Sequence, residues 1–460
     1  LNLELSLGSD TLERIFAPLE SAQAEFVKHY SVGAPGRQPV HTVYGGAQLF
    51  KSGTVGKLQQ LAATAFHEYC QSPATLADVF SLPTDLAEQV HALVDTKLKR
   101  QAVEDYRIDF EDGYGHRGDE EEDGHAAGAA REMAKAMKEG LLPPFSGFRT
   151  KGLTEGEVRL RAVRTLDIFL TNLLAQTEGV LPENFVVTLP KVSQVAQVTA
   201  FGQLLSALES RHQLSVGSIK IELMIETPQA FFDQKGALAL PALLSAAQGR
   251  CRGVHLGAYD YTAALEIAAP EQKLDHPACD LARGLMQMAF AGTGVWLSDG
   301  ATNVMPIPLH RAATGDGAPA LSAAQLEENT ATVHNAWRLS FRHVTGAMKA
   351  GFYQGWDLHP SQIPVRYIAA YAFFLSNLDS ASARLKNFVD QAARATLVAD
   401  KFDDAASGQG LLNFFLRALS CGALSEEQQV QATGLSREEI ETRSFLAIVK
   451  GRQRRECPWI

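Results

Sequence analysis

The feature that most restricts the fold of this chain is a rhythm that begins near residue 40 and runs to about residue 360. A short run rich in β-branched and aromatic residues gives way to a polar loop. An amphipathic stretch with helical spacing of its apolar positions follows. The β-like runs are "VHTVYGG" (40–46), "YRIDFED" (106–112), "FSGFRT" (145–150), "FVVTLPKV" (185–192), "SIKIELMIET" (218–227), "CRGVHLGAYD" (251–260), "GVWLSDG" (294–300) and "GFYQGWDLHP" (351–360). Between them lie helical patterns such as "GKLQQLAATAFHEYC" (56–70), "GAAREMAKAMKEGL" (128–141) and "VRLRAVRTLDIFLTNLLAQ" (158–176). Eight β–α repeats are the count of a TIM (β/α)8 barrel. A doubly wound open sheet fits the same rhythm, because periodicity does not report closure.

The flanks read differently. Residues 1–39 form an expected helical extension, with Leu12, Phe16 and Leu19 on one face and Asp10-Thr-Leu-Glu13 resembling a capping box. "SVGAPGRQP" (31–39) ends it with Gly and Pro. The barrel is expected over 40–370, and 371–460 is expected to be an all-helical lid or oligomerisation region. Ser425-Glu-Glu-Gln428 and Ser436-Arg-Glu-Glu439 carry helix-start signals there. The net charge of −10 argues against a nucleic-acid or anionic-membrane partner, and "KGRQRR" (450–455) reads as a solvated tail. The five cysteines are odd in number, widely spaced and without a C-x-x-C, which predicts free thiols in a reducing cytoplasm. No apolar stretch is long enough to span a membrane, and "LNLELSLGSDTLERIF" does not read as a signal peptide.

The chemistry is expected where the strands end. Barrel enzymes place their reactive groups at the carboxyl ends of the strands. Here the runs end on Glu111 and Asp112, Arg149, Lys191, Glu226, Asp260, Asp299 and His359. Glu226 and Asp260 lie about one β–α unit apart, so the two carboxylates can converge on one hard cation such as Mg²⁺. No His or Cys recurs at zinc spacing. Arg149 offers a planar fork to a carboxylate or enolate oxygen, or else joins a surface ion pair. Lys191 is either a hydrogen-bonding group or, if desolvated, a Schiff-base nucleophile. His359 touches substrate or plays a structural part. The glycines of "YGGAQLFKSGTVGKL" (44–58) can present backbone N–H groups to an anion, with Lys51 and Lys57 nearby, although the spacing matches no P-loop.

The stretch "YRIDFEDGYGHRGDEEEDGHA" (106–126) holds the densest group of carboxylates in the chain. It divides in two. Asp109, Glu111 and Asp112 close a strand, with Asp109 and Glu111 on one face. Asp119 to Asp123 lie beyond it, before a helix expected from Ala126, where their charges suit a helix start and solvent. His116 and His125 read as loop residues.

Six of these motifs, "DFEDGYG", "FRT", "LPKV", "MIET", "LGAYD" and "GFYQGWDLHPSQI", stand in the order found in the citrate lyase beta-subunit-like aldolases. That family includes malyl-coenzyme A lyase and related 2-keto acid aldolases, and the chain resembles an extended member of it. The resemblance covers roughly residues 40–370. It implies a TIM barrel with Mg²⁺, or Mn²⁺, held by Glu226 and Asp260. It implies Arg149, Glu111 and Asp112 as catalytic residues, with Asp109, Glu111 and Asp112 matching the family's D-x-E-D. Arg149, Lys191, Thr227 and His359 are then expected to contact substrate. A general base from a C-terminal lid is also implied, with Asp379, Asp390, Asp400, Asp403 and Asp404 in plausible segments. A homo-oligomer is implied as well. The first β–α loop, "GGAQLFKSGTVGK", lacks the Pro-Gly-x-x-Arg-like stretch of the coenzyme A users, so the use of that cofactor stays open.

The reaction so implied is cleavage or condensation of a 2-keto acid or acyl-coenzyme A-like substrate through a metal-stabilised enolate. Three alternatives remain at this stage. One is a Schiff-base aldolase through Lys191, another a phosphoenolpyruvate- or pyruvate-binding phosphotransferase. The third is a non-catalytic binding protein on the same barrel.

Overall fold

Eight parallel strands close on one another in chain order, which settles the barrel against the open sheet. They are β1 (His41–Gly46), β2 (Asp105–Asp109), β3 (Phe145–Arg149), β4 (Phe185–Leu189), β5 (Lys220–Ile225), β6 (Cys251–Leu256), β7 (Trp296–Ala301) and β8 (Gln354–Asp357). Each matches one of the eight expected runs. β8 returns to β1 with His41 opposite Gly355 and Val43 opposite Asp357. The computed structural model describes residues 7–30, 36–312, 320–390, 396–398, 401–403, 405–444, 447–448 and 451–452.

Strand alternation sorts the side chains into two layers. Ile108, Phe148, Val187, Leu223 and Val254 are fully buried beneath the helices. Phe148 meets Phe169 of the helix Gly156–Gln176 with ring centroids 4.3 Å apart. Burying one such side chain contributes about 1.5–3 kcal/mol. The lumen is polar instead. Tyr44 and Thr188 both donate to Glu222, at 3.2 and 3.0 Å, while Arg107 grips Asp105 through two bonds of 2.7 Å. Gly147 keeps β3 and β4 in contact, since a Cβ there would stand 1.8 Å from the Val186 carbonyl oxygen.

The helix Ile363–Leu375 follows β8 and is buried along nearly its whole length. It is covered outside by the helix Ala405–Cys421, where Phe374 meets Phe414 at 5.3 Å. A helix apolar all round belongs between two layers. The expected boundary at residue 370 therefore falls inside a helix.

Other expectations need correcting. The first helix, Ser9–His29, starts after Gly8 with no side-chain cap, so Asp10 sits in its first turn and does not cap it. The region 371–460 is not helical throughout, because Thr396–Val398 and Lys401–Asp403 form a short antiparallel pair. Ser425 and Ser436 do cap their helices through reciprocal boxes with Gln428 and Glu439. Arg452, in the basic tail, pairs with Glu439 at 3.0 Å. The helix expected from Ala126 begins at Asp119, so the Asp119–Asp123 acids lie in its first turns, not before it.

No helix among the described residues is long and apolar enough to cross a membrane. Cys70, Cys251, Cys279 and Cys421 are free thiols, and Cys457 lies outside the described residues.

Candidate active site

At the carboxyl end of the barrel a guanidinium and an ammonium stand among five carboxylates. Arg149 ends β3 and is 1 % exposed. Its Nε and Nη2 donate to the two oxygens of Asp109 on β2, at 2.7 and 2.6 Å. Its Nη1 lies 2.9 Å from Glu111 and 3.3 Å from Asp112. Its flat face rests on aromatic rings, 5.0 Å from Tyr44 and 5.5 Å from Trp356. Burial alone would weaken its hold on the proton, but Asp109 more than offsets this, so Arg149 stays charged. Asp109 is itself fixed by the chain beyond β2. The Glu111 and Gly113 N–H groups donate to it at 3.0 and 2.7 Å. Gly113 is needed there, since a Cβ would lie 2.6 Å from the carboxylate.

Lys191 connects the two halves of the cluster. It follows β4 with φ 53°, a left-handed backbone uncommon for a residue with a side chain. That turn aims its backbone N–H at Glu226 Oε1, at 2.6 Å. Its ammonium meanwhile reaches Asp260 Oδ2 at 2.5 Å. The same Nζ lies 3.7 Å from Glu111, 3.8 Å from Glu226 and 4.0 Å from Asp112. Burial works to lower the Lys191 pKa, but Glu226, Glu111 and Asp260 outweigh it and hold the ammonium above its ordinary value.

Glu226 is 2 % exposed just past β5. Gly257 leaves space for it, since a Cβ would stand 2.5 Å from Glu226 Oε2. Asp260 is not at a strand end as expected; it lies in the first turn of the helix Ala258–Ala264, half-exposed opposite Glu226. Burial pushes the Glu226 carboxyl well above the usual carboxylate range. Burial likewise pushes Glu111 up to about 7, against the pull of Arg149 and with Asp112 adding to it. Glu111 Oε2 is buried without a well-aligned hydrogen bond.

This donor set suits a hard divalent cation. Its atoms are carboxylate oxygens, its negative charge exceeds its positive charge, and two of its acids are destabilised by burial. Among the described residues no three His, Cys, Asp or Glu side chains converge closely enough to form a protein-only cage. Glu226 and Asp260 both lie against the Lys191 ammonium, at 3.8 and 2.5 Å, and two carboxylates with several waters are one way in which Mg²⁺ is held.

Other expected residues stand apart. Thr227 donates its hydroxyl to the Val192 carbonyl at 2.7 Å, tying the loops after β4 and β5 together. His359 accepts from the Ser361 N–H at 3.2 Å, so its ring caps the turn Pro360–Gln362. Neither is hydrogen-bonded to the carboxylate cluster among the described residues. Asp299 points away from the mouth and pairs with Arg283 of the helix Pro277–Phe290 at 3.0 Å. Asp379 is exposed on the helix Leu378–Asp390. The side chains of Asp390, Asp400, Asp403 and Asp404 lie outside the described residues. Lys51 approaches Glu132 at 3.9 Å. Sequence reasoning missed Tyr44 and Trp356. Their inward phase on β1 and β8 was readable, but strand propensity already accounts for an aromatic there.

The second acidic group has a different fate. Glu122 is fully buried beside Lys151 at 2.9 Å and Arg161 at 3.4 Å, not solvated as expected. Asp123 is gripped by Arg161 and Arg164, and Arg117 pairs with Glu121. His125 bonds the Tyr114 hydroxyl at 2.8 Å.

A profile of the family described as "Domain of unknown function (DUF6986)" matches residues 19–448. No curated protein matches the sequence. Among solved structures, a citrate lyase from Burkholderia xenovorans LB400 aligns over 86% of this chain and 97% of its own, at 16% identity and a TM-score of 0.55. The CitE protein of Mycobacterium tuberculosis, in complex with magnesium, acetoacetate and coenzyme A, aligns over 84% of this chain and 99% of its own. That match has 15% identity and a TM-score of 0.45. A Haloferax volcanii malate synthase aligns over 89% of this chain and 97% of its own, at 14% identity and a TM-score of 0.46. At such identities the first of these supports the shared fold and nothing finer.

Proposed function

The chain belongs to the DUF6986 family, and from that starting point we propose that it is a divalent-metal-dependent carbon–carbon lyase or condensing enzyme acting on a 2-keto acid or a related acyl substrate. The observation that carries this reading is the shared carboxylate cluster at the barrel mouth. A guanidinium locked by Asp109 and an ammonium tied to the oxygen donors Glu226 and Asp260 share Glu111 between them. Glu226 and Asp260 would hold Mg²⁺ or Mn²⁺, which supplies Lewis acidity toward carbonyl and enolate oxygens when bound.

The chain's own residues account for the rest. Asp109 orients Arg149, so that its charge is in place before negative charge develops on the substrate oxygen. The Tyr44 and Trp356 rings exclude water from the flat face of the guanidinium, which strengthens its electrostatics. Glu111, with its carboxyl near 7, is suited to hold or move a proton at neutral pH. Asp112, more exposed at the rim, adds to the charge that keeps Glu111 high. Thr227 and His359 support the loops around the mouth, and a cytoplasmic homo-oligomer remains part of the proposal. The Schiff-base alternative is disfavoured, because an ammonium ringed by carboxylates is a poor nucleophile.

The test is exchange of pyruvate methyl protons with solvent deuterium, followed by NMR with and without EDTA. Exchange that requires a divalent cation and collapses in Glu226→Gln and Arg149→Lys is expected. Metal-independent exchange, or full exchange in Glu226→Gln, overturns the reading.

A further inference from the structure

A second charged cavity lies at the opposite end of the barrel. It occupies about 530 Å³ between the helix Thr84–Gln101, the segment leading into β1, and the helices Ala405–Cys421, Glu426–Thr433 and Arg437–Glu441. That volume is in the range of small-molecule sites. Leu416, Leu419 and Tyr371 give it an apolar wall, while its polar lining is dominated by cations.

Some of those cations are balanced. Arg37 and Lys97 share the buried Glu104, each at 2.6 Å, and Arg437 pairs with Glu426 and Glu441. Three others have no carboxylate within ion-pair distance among the described residues. Arg417 donates to the Gln38 side chain and lies 4.9 Å over the Tyr353 ring. Burial lowers its pKa to about 10. Arg443 has its Nε buried with no hydrogen-bond partner and sits in a left-handed backbone, φ 50°. Burial lowers its pKa as well. Arg100 stands exposed at the rim, in the last turn of its helix.

A half-buried cation without counter-charge is costly, more so where its Nε is buried unpartnered on a left-handed backbone, as in Arg443. Such an arrangement is explained when the missing charge arrives with a ligand. The guanidinium fork matches phosphate oxygens bidentately. The three cations come from both sides of the cavity, so a ligand with more than one charged group would span them. We infer that this cavity binds a small, multiply charged phosphate-bearing molecule, which bridges the base of the barrel to the C-terminal helices.

Isothermal titration of the full chain with tripolyphosphate, in EDTA, tests this. One site is expected, weakened at least tenfold in Arg417→Gln and in Arg443→Gln. Affinity should be unchanged in Glu226→Gln, at the other end of the barrel. Tripolyphosphate should also raise the Tm of the wild-type chain. If Arg417→Gln fails to fold, Arg100→Gln serves in its place, with an expected loss of at least threefold. The inference is overturned by absence of binding to the wild type, by affinity retained in Arg443→Gln and Arg100→Gln, or by affinity lost in Glu226→Gln. Equal or tighter binding of tricarballylate overturns the assignment to phosphate.

Discussion

Two groups of carboxylates, one at the start of the helix Asp119–Lys138 and one at the barrel mouth, have opposite electrostatic fates. Asp119, Glu121, Glu122 and Asp123 are matched by Arg117, Lys151, Arg161 and Arg164, and Asp123 is held below the usual range by Arg164 and Arg161. Those at the barrel mouth, Asp109, Glu111, Asp112, Glu226 and Asp260, have among the described residues only Arg149 and Lys191 between them. There Glu111 and Glu226 are pushed up, not down. Density of acids along the sequence therefore does not mark the site. The mark is negative charge that the fold gathers and leaves unbalanced.

The largest effect that would sharpen this contrast is at Glu226. Glu226→Gln is expected to cost about 10³–10⁴-fold in turnover, or about 4–5.5 kcal/mol of barrier. Its Tm should stay level or rise, because a crowded charge is removed. A Tm that falls with activity would place Glu226 in the balanced class. Next is Glu122→Ala, which strands the Lys151 ammonium beneath the helix Asp119–Lys138 and leaves Arg161 with Asp123 and Asp119 alone. A loss of about 3–4 kcal/mol in urea unfolding is expected. A loss below 1 kcal/mol would show that the pairing there carries no weight.

Asp357 tests the balanced case through pH. Despite burial, Arg366 at 2.7 Å and His41 at 3.0 Å hold its pKa down to about 2. A carboxylate depressed in the folded state stabilises the protein above its unfolded pKa, near 4. That stability is lost as pH falls from there toward about 2. Asp357→Asn should remove about 2 kcal/mol of acid-dependent stability, seen as a flatter Tm profile below pH 5. An unchanged profile contradicts it. The smallest effect is expected for Arg164→Gln. Its exposed pair with Asp123 should add little stability, so that urea unfolding and turnover both stay as in the wild type.

The barrel was legible because its signals are local. Each strand is a short apolar run ended by turn chemistry, and each crossover helix keeps its own period. Arg149, Lys191 and Glu226 were legible for the same reason, as charged residues just past apolar runs. The convergence of Lys191 on Asp260 was not, because it depends on a left-handed turn and on a helix start that alternation does not encode. Asp299 misled because its phase on β7 sends it to the helix layer. Thr227 and His359 are polar residues whose hydrogen bonds serve nearby backbone, a use that cannot be told from substrate contact without coordinates. The partners of Asp123 lie about forty residues downstream, so its neutralisation is a property of helix packing.

Under the proposed metal-dependent reading, the twist of backbone at Lys191 has a consequence for ion selection. One residue holds Glu226 through its amide and Asp260 through its side chain, so the mouth carries its own tethered counterion. A tethered ion competes at an effective concentration on the order of millimolar or more, without being lost to solvent. A dissolved monovalent cation offers the carboxylates nothing that the ammonium does not already give them. An ion that displaces it must bring a second charge, and this favours divalent over monovalent occupants.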